Sequence, residues 1–362
     1  MSAAPILRIE RLTKRYGDFT ALHGIDLEVA DGEFLTIVGP SGSGKTTLIK
    51  LLVGMEEQSD GAIWLREKRL DRMPANRRPT CMVFQSLALF PHRSVGENIA
   101  FPLKIRGEGR AAREARAREL LDLLHLPQDY HDKRIDACSG GERQRIALAR
   151  ALAFDPQILF FDEPLSALDY RLRKTLEKEL KALHERTGKT FVYITHSLEE
   201  AMVMSDRIAI LRNGRFEQIG TAHEIYARPR NRFVARFMGD VNLFELSGGA
   251  QGPTRVAGLD IDAGVLASLD AEVREHDTVM VRPERLRLLA PDARAEFVTD
   301  GRIAASYLLG SRRQYEIDAP DGSTLVLEAA ADAPGSQKLE PGRQVRIGFD
   351  RRDVHFIAEH AA

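Results

Sequence analysis

The spacing of apolar and polar positions changes character along the chain. Between residues 6 and 38 the runs ILRIERL, ALHGIDLEV and EFLTIVG are β-rich and are broken by the turn dipeptides Gly17-Asp18 and Asp31-Gly32, which predicts short strands. The next segment, PSGSGKTTLIKLLVG, reads as a loop that becomes a helix, with Leu48, Leu51 and Leu52 on one face and Gly54 as its stop. Residues 61–84 return to short strands, TCMVF the clearest. From about 86 to 155 the texture is helical: GRAAREARARELLDLLHL predicts one helix, and a second starts at Ser139 and runs through GGERQRIALARAL. This segment reads as a helical subdomain inserted ahead of the apolar strand QILFFD. A long helix within DYRLRKTLEKELKALHERTG, the strand TFVYIT, the short helix SLEEAMVM and the strand RIAILRNG follow. Strands alternating with helices imply an α/β fold on a parallel sheet. From about 241 to 362 the runs DTVMVRPERLRLL, RIAASYLLGSRRQYEID, STLVLEAA and GRQVRIGF are short and alternating, which predicts a separate, mostly β domain, a small barrel or sandwich.

Composition agrees with two domains: 362 residues exceed one average domain, and 43% hydrophobic with 29% charged residues is an ordinary globular balance. Lys and Arg number 52 against 53 Asp and Glu, so the net charge is −1 and there is no electrostatic footprint for nucleic acid as a primary partner. Two cysteines cannot build a disulfide framework, and a reducing compartment fits them. The N-terminal MSAAPILRIERLTKRY lacks the apolar core of a signal peptide, and no stretch approaches the roughly 18 apolar residues of a membrane span. The expectation is a cytoplasmic protein with domains at 1–240 and 241–362.

Two motifs carry chemistry. Gly39-Pro-Ser41-Gly42-Ser43-Gly44-Lys45-Thr46, followed by Thr47, matches GxxxxGK[ST] between a predicted strand and a predicted helix. The glycines let backbone N–H groups turn toward phosphate oxygens, and the helix N-terminus adds its positive end. Lys45 is expected to reach the outer phosphates of ATP, and Thr46 to hold Mg²⁺. The run Ile158–Glu163 is a buried strand ending in two acids, at the end of the sheet where open α/β folds bind ligands. Asp162 is then a second Mg²⁺ contact, and Glu163 a base for the attacking water, a role that contributes about 10²–10⁴-fold.

These residues resemble the ABC transporter ATPases over about 6–237. Cys138-Ser139-Gly140-Gly141-Glu142 is similar to the LSGGQ signature, with Cys for Leu and Glu for Gln. The resemblance implies that Ser139, Gly140 and Gly141 close on the γ-phosphate held by a second subunit, so that hydrolysis requires a homodimer. It implies that Tyr16 stacks on adenine, that Gln85 senses Mg²⁺ and the attacking water, that Ser166-Ala167-Leu168-Asp169 couples the two sites, and that His196 contacts the γ-phosphate.

Two features resemble the importer branch of that family. Gln85-Ser-Leu-Ala-Leu-Phe-Pro-His92 is similar to the segment that docks integral membrane permease subunits; its Leu87, Leu89 and Phe90 read either as an exposed groove or as buried core. The β region resembles the TOBE domain, an OB-like barrel, with Val281-Arg282-Pro283-Glu284 matching its RPE turn. The resemblance is greatest to the polyamine/opine/phosphonate group, with iron, sulfate and sugar importers as alternatives and a soluble nucleic-acid-acting ATPase as a more distant one. It implies a peripheral protein at the cytoplasmic face of the inner membrane, with a substrate-binding protein as an indirect partner. A third reading, compatible with the first, gives the β domain a regulatory role in which it binds a small ligand or protein and inhibits transport. The Arg-rich run 104–118 reads as a solvated helix face, because Glu114 sits four residues from both Arg110 and Arg118.

Overall fold

A computed structural model describes residues 4–166, 168–245, 254–256, 259–261, 278–290, 292–332 and 339–357. Ala167, the N-terminal Met1–Ala3 and much of 246–277 lie outside the described residues. The chain divides into two units, Met1–Ala222 and His223–Ala362.

In the first unit, strands β1 (Leu7–Tyr16), β2 (Phe19–Val29), β4 (Asp60–Leu65) and β5 (Lys68–Arg69) form an antiparallel sheet in the order β2-β1-β4-β5. Strands β3 (Phe34–Val38), β6 (Thr80–Val83), β7 (Ile158–Asp162), β8 (Thr190–Ile194), β9 (Arg207–Arg212) and β10 (Arg215–Gly220) form the second, in the order β10-β9-β3-β8-β7-β6. All pairs in it are parallel except β10 with β9. Every residue of β3 and β8 is buried, as a strand covered on both faces requires.

The two-residue period of β7 and β8 splits their side chains between two cores. Ile158, Phe160, Val192 and Ile194 join helix α1 (Lys45–Val53) and the antiparallel sheet. Leu159, Phe161, Phe191 and Tyr193 face helices α2 (Val95–Ile105), α3 (Arg110–Leu123), α4 (Gly140–Leu152) and α5 (Tyr170–Thr187). A short α6 (Leu198–Met204) follows β8. The reading of 86–155 as helical therefore includes α2, which starts with a Ser94/Glu97 capping box and continues past an internal Pro102. Arg110 pairs with Glu114 at 2.8 Å, the intrahelical contact anticipated for the Arg-rich run.

The second unit opens with α7 (Ala222–Ala227) and α8 (Arg232–Phe237). Its strands are β11 (Asn242–Glu245), β12 (Thr254–Val256), β13 (Leu259–Ile261), β14 (Thr278–Val281), β15 (Arg287–Leu288), β16 (Phe297–Leu309), β17 (Arg312–Asp318), β18 (Thr324–Ala330), β19 (Gln344–Phe349) and β20 (Val354–Ile357). The sheets β11-β14-β20 and β15-β19-β16-β17-β18 share one core built on Phe244, Val279, Val281, Phe297, Tyr315, Ile317 and Leu327. The Asn242 amide bridges the two sheets: it donates to the carbonyls of Val326 (2.8 Å) and Val281 (3.3 Å), and its oxygen accepts from Val326 N–H at 2.8 Å.

The division at 222/223 falls ahead of the residue 240 expected from composition, and Arg282 supplies the reason. Its guanidinium, 3% exposed, donates to the carbonyls of Tyr226, Ala235 and Asp240 and lies 4.0 Å over the Tyr226 ring. Tyr226 in turn donates to Glu284 at 3.0 Å. The Arg-Pro-Glu turn thus ties α7 and α8 into the β unit, and Ala235 packs on Met280 and Ile357.

Candidate active site

The phosphate loop joins β3 to α1. Gly42 (φ +77°) and Gly44 (φ +107°) occupy the left-handed region, and Gly44 begins α1 with no side-chain cap, so the helix presents its first amides without a built-in acceptor. A Cβ at Gly39 would stand 2.0 Å from the Leu211 carbonyl oxygen, so only glycine fits there. Lys45, 8% exposed, folds back to donate to the carbonyls of Gly39 (2.7 Å) and Pro40 (3.0 Å). Burial holds its ammonium below the ordinary lysine value, while the Glu163 and Asp162 carboxylates pull the other way. Ser41, Gly42 and Thr46 are exposed, Ser43 is buried, and Thr47 lies beside Tyr16.

Asp162 closes β7 and Glu163 follows it at φ +46°, a conformation that a non-glycine residue adopts at a cost and that clusters at functional sites. The Glu163 N–H remains tied to the Ile194 carbonyl at 2.9 Å, so the strained residue is fixed to the end of β8. Burial first, and the neighbouring Glu163 carboxylate second, push the Asp162 carboxyl up, against the pull of Lys50 and Lys45.

Three sequence-predicted residues converge on Glu163. His196 Nδ1 lies 3.1 Å from its Oε2. The Ser166 hydroxyl donates to the Glu163 carbonyl at 2.9 Å and accepts from the Gln85 amide at 3.0 Å. Gln85, Glu163, Ser166 and His196, spread over more than a hundred residues of sequence, thus form one chain of contacts. Tyr16 lies at the end of β1, 44% exposed, its hydroxyl bonded to Glu56 and the Lys14 ammonium 4.8 Å from its ring centroid.

Ser139, Gly140 and Gly141 start α4, away from these groups: among the described residues no hydrogen bond or ion pair joins them to the phosphate loop. Cys138 is buried, its thiol 3.4 Å from the Arg134 carbonyl, and burial pushes the thiol up.

Two supporting residues escaped the sequence reading. Glu200, 2% exposed, accepts from Tyr193 and Thr195, both at 2.8 Å, and so pins the turn that carries His196. The spacing Ser197-x-x-Glu200 signals a helix cap, and Glu200 N–H does bond Ser197, but nothing in it foretells the buried carboxylate. Arg150 donates to the carbonyls of Leu87 (2.6 Å) and Ala88 (2.7 Å), which sit at φ +58° and +47°. Beside them Leu87 and Leu89 are half-buried against the helical core, and Phe90 packs on Phe101 with ring centroids 4.5 Å apart. The apolar segment is thus largely a folded part of the helical core.

The donor set suits Mg²⁺. That ion is held through one or two carboxylates plus substrate phosphates and water rather than a full protein cage. Two adjacent acids, one with its carboxyl pushed up by burial and by the other, together with an exposed threonine hydroxyl at a helix start, offer such a partial shell. Among the described residues there is no cluster of three or more His, Cys, Asp or Glu suited to a protein-only metal site.

A phosphate loop after β3 of a parallel sheet, an acid pair at the end of β7, one strand removed in that sheet, and a helix-starting Ser-Gly-Gly define a nucleotide-hydrolysing cassette. Residues 22–166 match the ABC transporter family and 279–357 the TOBE domain. The chain is 40% identical over 356 residues to the spermidine/putrescine import ATP-binding protein PotA of Roseobacter denitrificans, covering 97% of each. It is 40% identical to the protein of the same name from Pseudomonas aeruginosa, covering 98% of this chain and 99% of that one. The dimeric post-hydrolysis state of the ATP-binding cassette MJ0796 bound to ADP and Pi superposes with a TM-score of 0.52 at 30% identity, over 60% of this chain and 98% of that one. The chain belongs to the ABC transporter ATP-binding proteins: it is an ATPase with a C-terminal TOBE domain, and its hydrolysis is coupled to transport. Among the described residues, no helix is long and apolar enough to cross a membrane.

Proposed function

We propose that this chain powers polyamine import, as a homodimer docked on the cytoplasmic side of integral membrane permease subunits, with a substrate-binding protein delivering the cargo. Full-length identity to proteins named for spermidine/putrescine import carries this reading and favours it over phosphonate, iron, sulfate or sugar cargo.

In the proposed mechanism Tyr16 stacks on adenine, and the amides of Gly39–Thr47 with Lys45 bind the phosphates. To do so, the Lys45 ammonium exchanges its bonds to the Gly39 and Pro40 carbonyls for phosphate oxygens. Thr46, Asp162 and Gln85 would hold Mg²⁺, which when bound neutralises phosphate charge. Glu163 accepts the proton of the attacking water, and His196 orients the Glu163 carboxylate and the γ-phosphate. Gln85 and Ser166 keep the Glu163 backbone in place, so a movement of the 85–90 segment reaches the base through two hydrogen bonds. Ser139, Gly140 and Gly141 complete the site of the second subunit.

The test is reconstitution of the whole complex in liposomes. ATPase activity should rise with a binding protein loaded with spermidine or putrescine, and Glu163→Gln should abolish turnover while leaving an ATP-trapped dimer. Stimulation by loaded iron or sugar binding proteins instead would overturn the cargo. Near wild-type phosphate release from E163Q would remove the base.

A further inference from the structure

Glu142 stands where the family signature has Gln, and its carboxylate is bound on all sides. Ser139 N–H donates to its Oε2 at 2.7 Å while Ser139 Oγ accepts from Glu142 N–H at 3.3 Å, a reciprocal capping box. The Tyr130 hydroxyl donates to Oε1 at 2.8 Å, and the Lys133 ammonium lies 3.6 Å from Oε2 and 3.6 Å over the Tyr130 ring. The Ser139 N–H bond, ahead of the Tyr130 and Lys133 contacts, holds the carboxyl below the ordinary glutamate value, so it is ionised throughout the neutral range.

We infer that Glu142 is a positioning residue that doubles as a built-in counter-anion, setting how strongly the start of α4 attracts the γ-phosphate carried by a second copy of this chain. The inference rests on the reading of Ser139–Gly141 as the phosphate contact. A helix N-terminus attracts anions through its free amides and partial positive charge. Here a fixed negative charge already occupies that end and accepts from the Ser139 amide, while the Ser139 hydroxyl accepts from Glu142 N–H and keeps its own proton to donate. An arriving γ-phosphate meets like charge and competes with the Glu142 carboxylate for the Ser139 amide. The anchor to Tyr130 and Lys133 sharpens the effect, because the carboxylate cannot swing away without losing those partners. A glutamine at 142 would keep the capping box, since either side chain serves in it, and the Tyr130 phenol can accept from an amide as readily as it donates to a carboxylate. Only the charge would go. The family departure at this position is then a setting that weakens nucleotide-driven closure and speeds reopening.

The experiment measures ATP-driven dimerisation of the full chain by sedimentation in three variants: Glu163→Gln alone, E163Q with Glu142→Gln, and E163Q with Glu142→Asp. The expected half-maximal ATP concentration is about 2- to 5-fold lower with E142Q than in its parent, the range for one charge at a helix end. The ratio should be the same at pH 6 and pH 8. E142D keeps the charge and should stay near the parent. In the otherwise native chain E142Q should lower KM for ATP without raising kcat. Equal half-maximal ATP in E163Q with and without E142Q overturns the proposal, as does a shift with E142D as large as that with E142Q. If E163Q forms no dimer at any ATP concentration, the signature reading falls and the proposal with it.

Discussion

His196 Nδ1 lies 3.1 Å from Oε2 of Glu163, although the two residues follow different strands, β8 and β7. Because β7 and β8 are parallel neighbours in register, with Asp162 opposite Ile194, both residues emerge at the same edge of the sheet. His196→Ala should therefore lower kcat by at least about 100-fold, the low end for losing acid–base assistance, while KM for ATP changes little. Steady-state phosphate release over a range of ATP concentrations separates the two constants. A KM rise at constant kcat would make His196 a binding residue only.

Lys45 donates to the Gly39 and Pro40 carbonyls. Lys45→Ala should fold but lose its response to ATP. Saturating ATP at about 100 times Kd stabilises a binding-competent chain by about 2.7 kcal/mol, and thermal melts with and without MgATP should show most of that shift missing in K45A.

Much of this site was legible in the sequence because phosphate chemistry demands short, contiguous patterns. The phosphate loop needs glycines at fixed steps, and the acid pair must terminate an apolar strand, so Gly39–Thr47 and Asp162–Glu163 announced themselves. Glu200 and Arg150 did not. Each acts through a tertiary contact, with Tyr193 and Thr195 or with the carbonyls of Leu87 and Ala88, and neither leaves a periodic trace. The division at 222/223 left no trace in the sequence for a similar reason. Composition changes near 240, but Arg282 gathers carbonyls from Tyr226, Ala235 and Asp240 into the β unit.

Cys138, in the signature, should resist thiol reagents, because it is 5% exposed and burial keeps its proton on. Maleimide labelling at neutral pH, read by mass spectrometry on the folded chain, should leave Cys138 unmodified, and labelling in denaturant should modify it fully. Rapid labelling of the folded chain would contradict the burial.

Cys81 gives a pH signature. Burial pushes its thiol up to about 11 from the ordinary 9.0. Between those values the folded state binds more protons than the unfolded state, so stability falls as pH rises from about 9 to about 11, by about 1.4 kcal/mol per unit for this group. Below about 9 the effect is absent. Cys81→Ala should flatten that part of the alkaline profile, measured as the difference in urea unfolding between the two chains at pH 8 and pH 10.5.

Arg282→Ala should destabilise the second unit by about 3 kcal/mol, since it leaves buried carbonyls without a charged donor. With two units, urea unfolding should be followed by probes in each, and only the transition of His223–Ala362 should move. Arg282→Lys should recover part of the loss, as a point charge cannot reach three carbonyls in the same fork.

The amide of Asn242 does for Val326 what a neighbouring strand would do, accepting its N–H and donating to its C=O. Strand β18 is the last in its sheet, and an unpaired last strand is a template for foreign chains. One side chain thus serves as a hem at that border. Cells making an Asn242→Leu version would be expected to accumulate it in inclusion bodies, a failure of solubility that no assay of nucleotide turnover on the surviving soluble fraction would reveal.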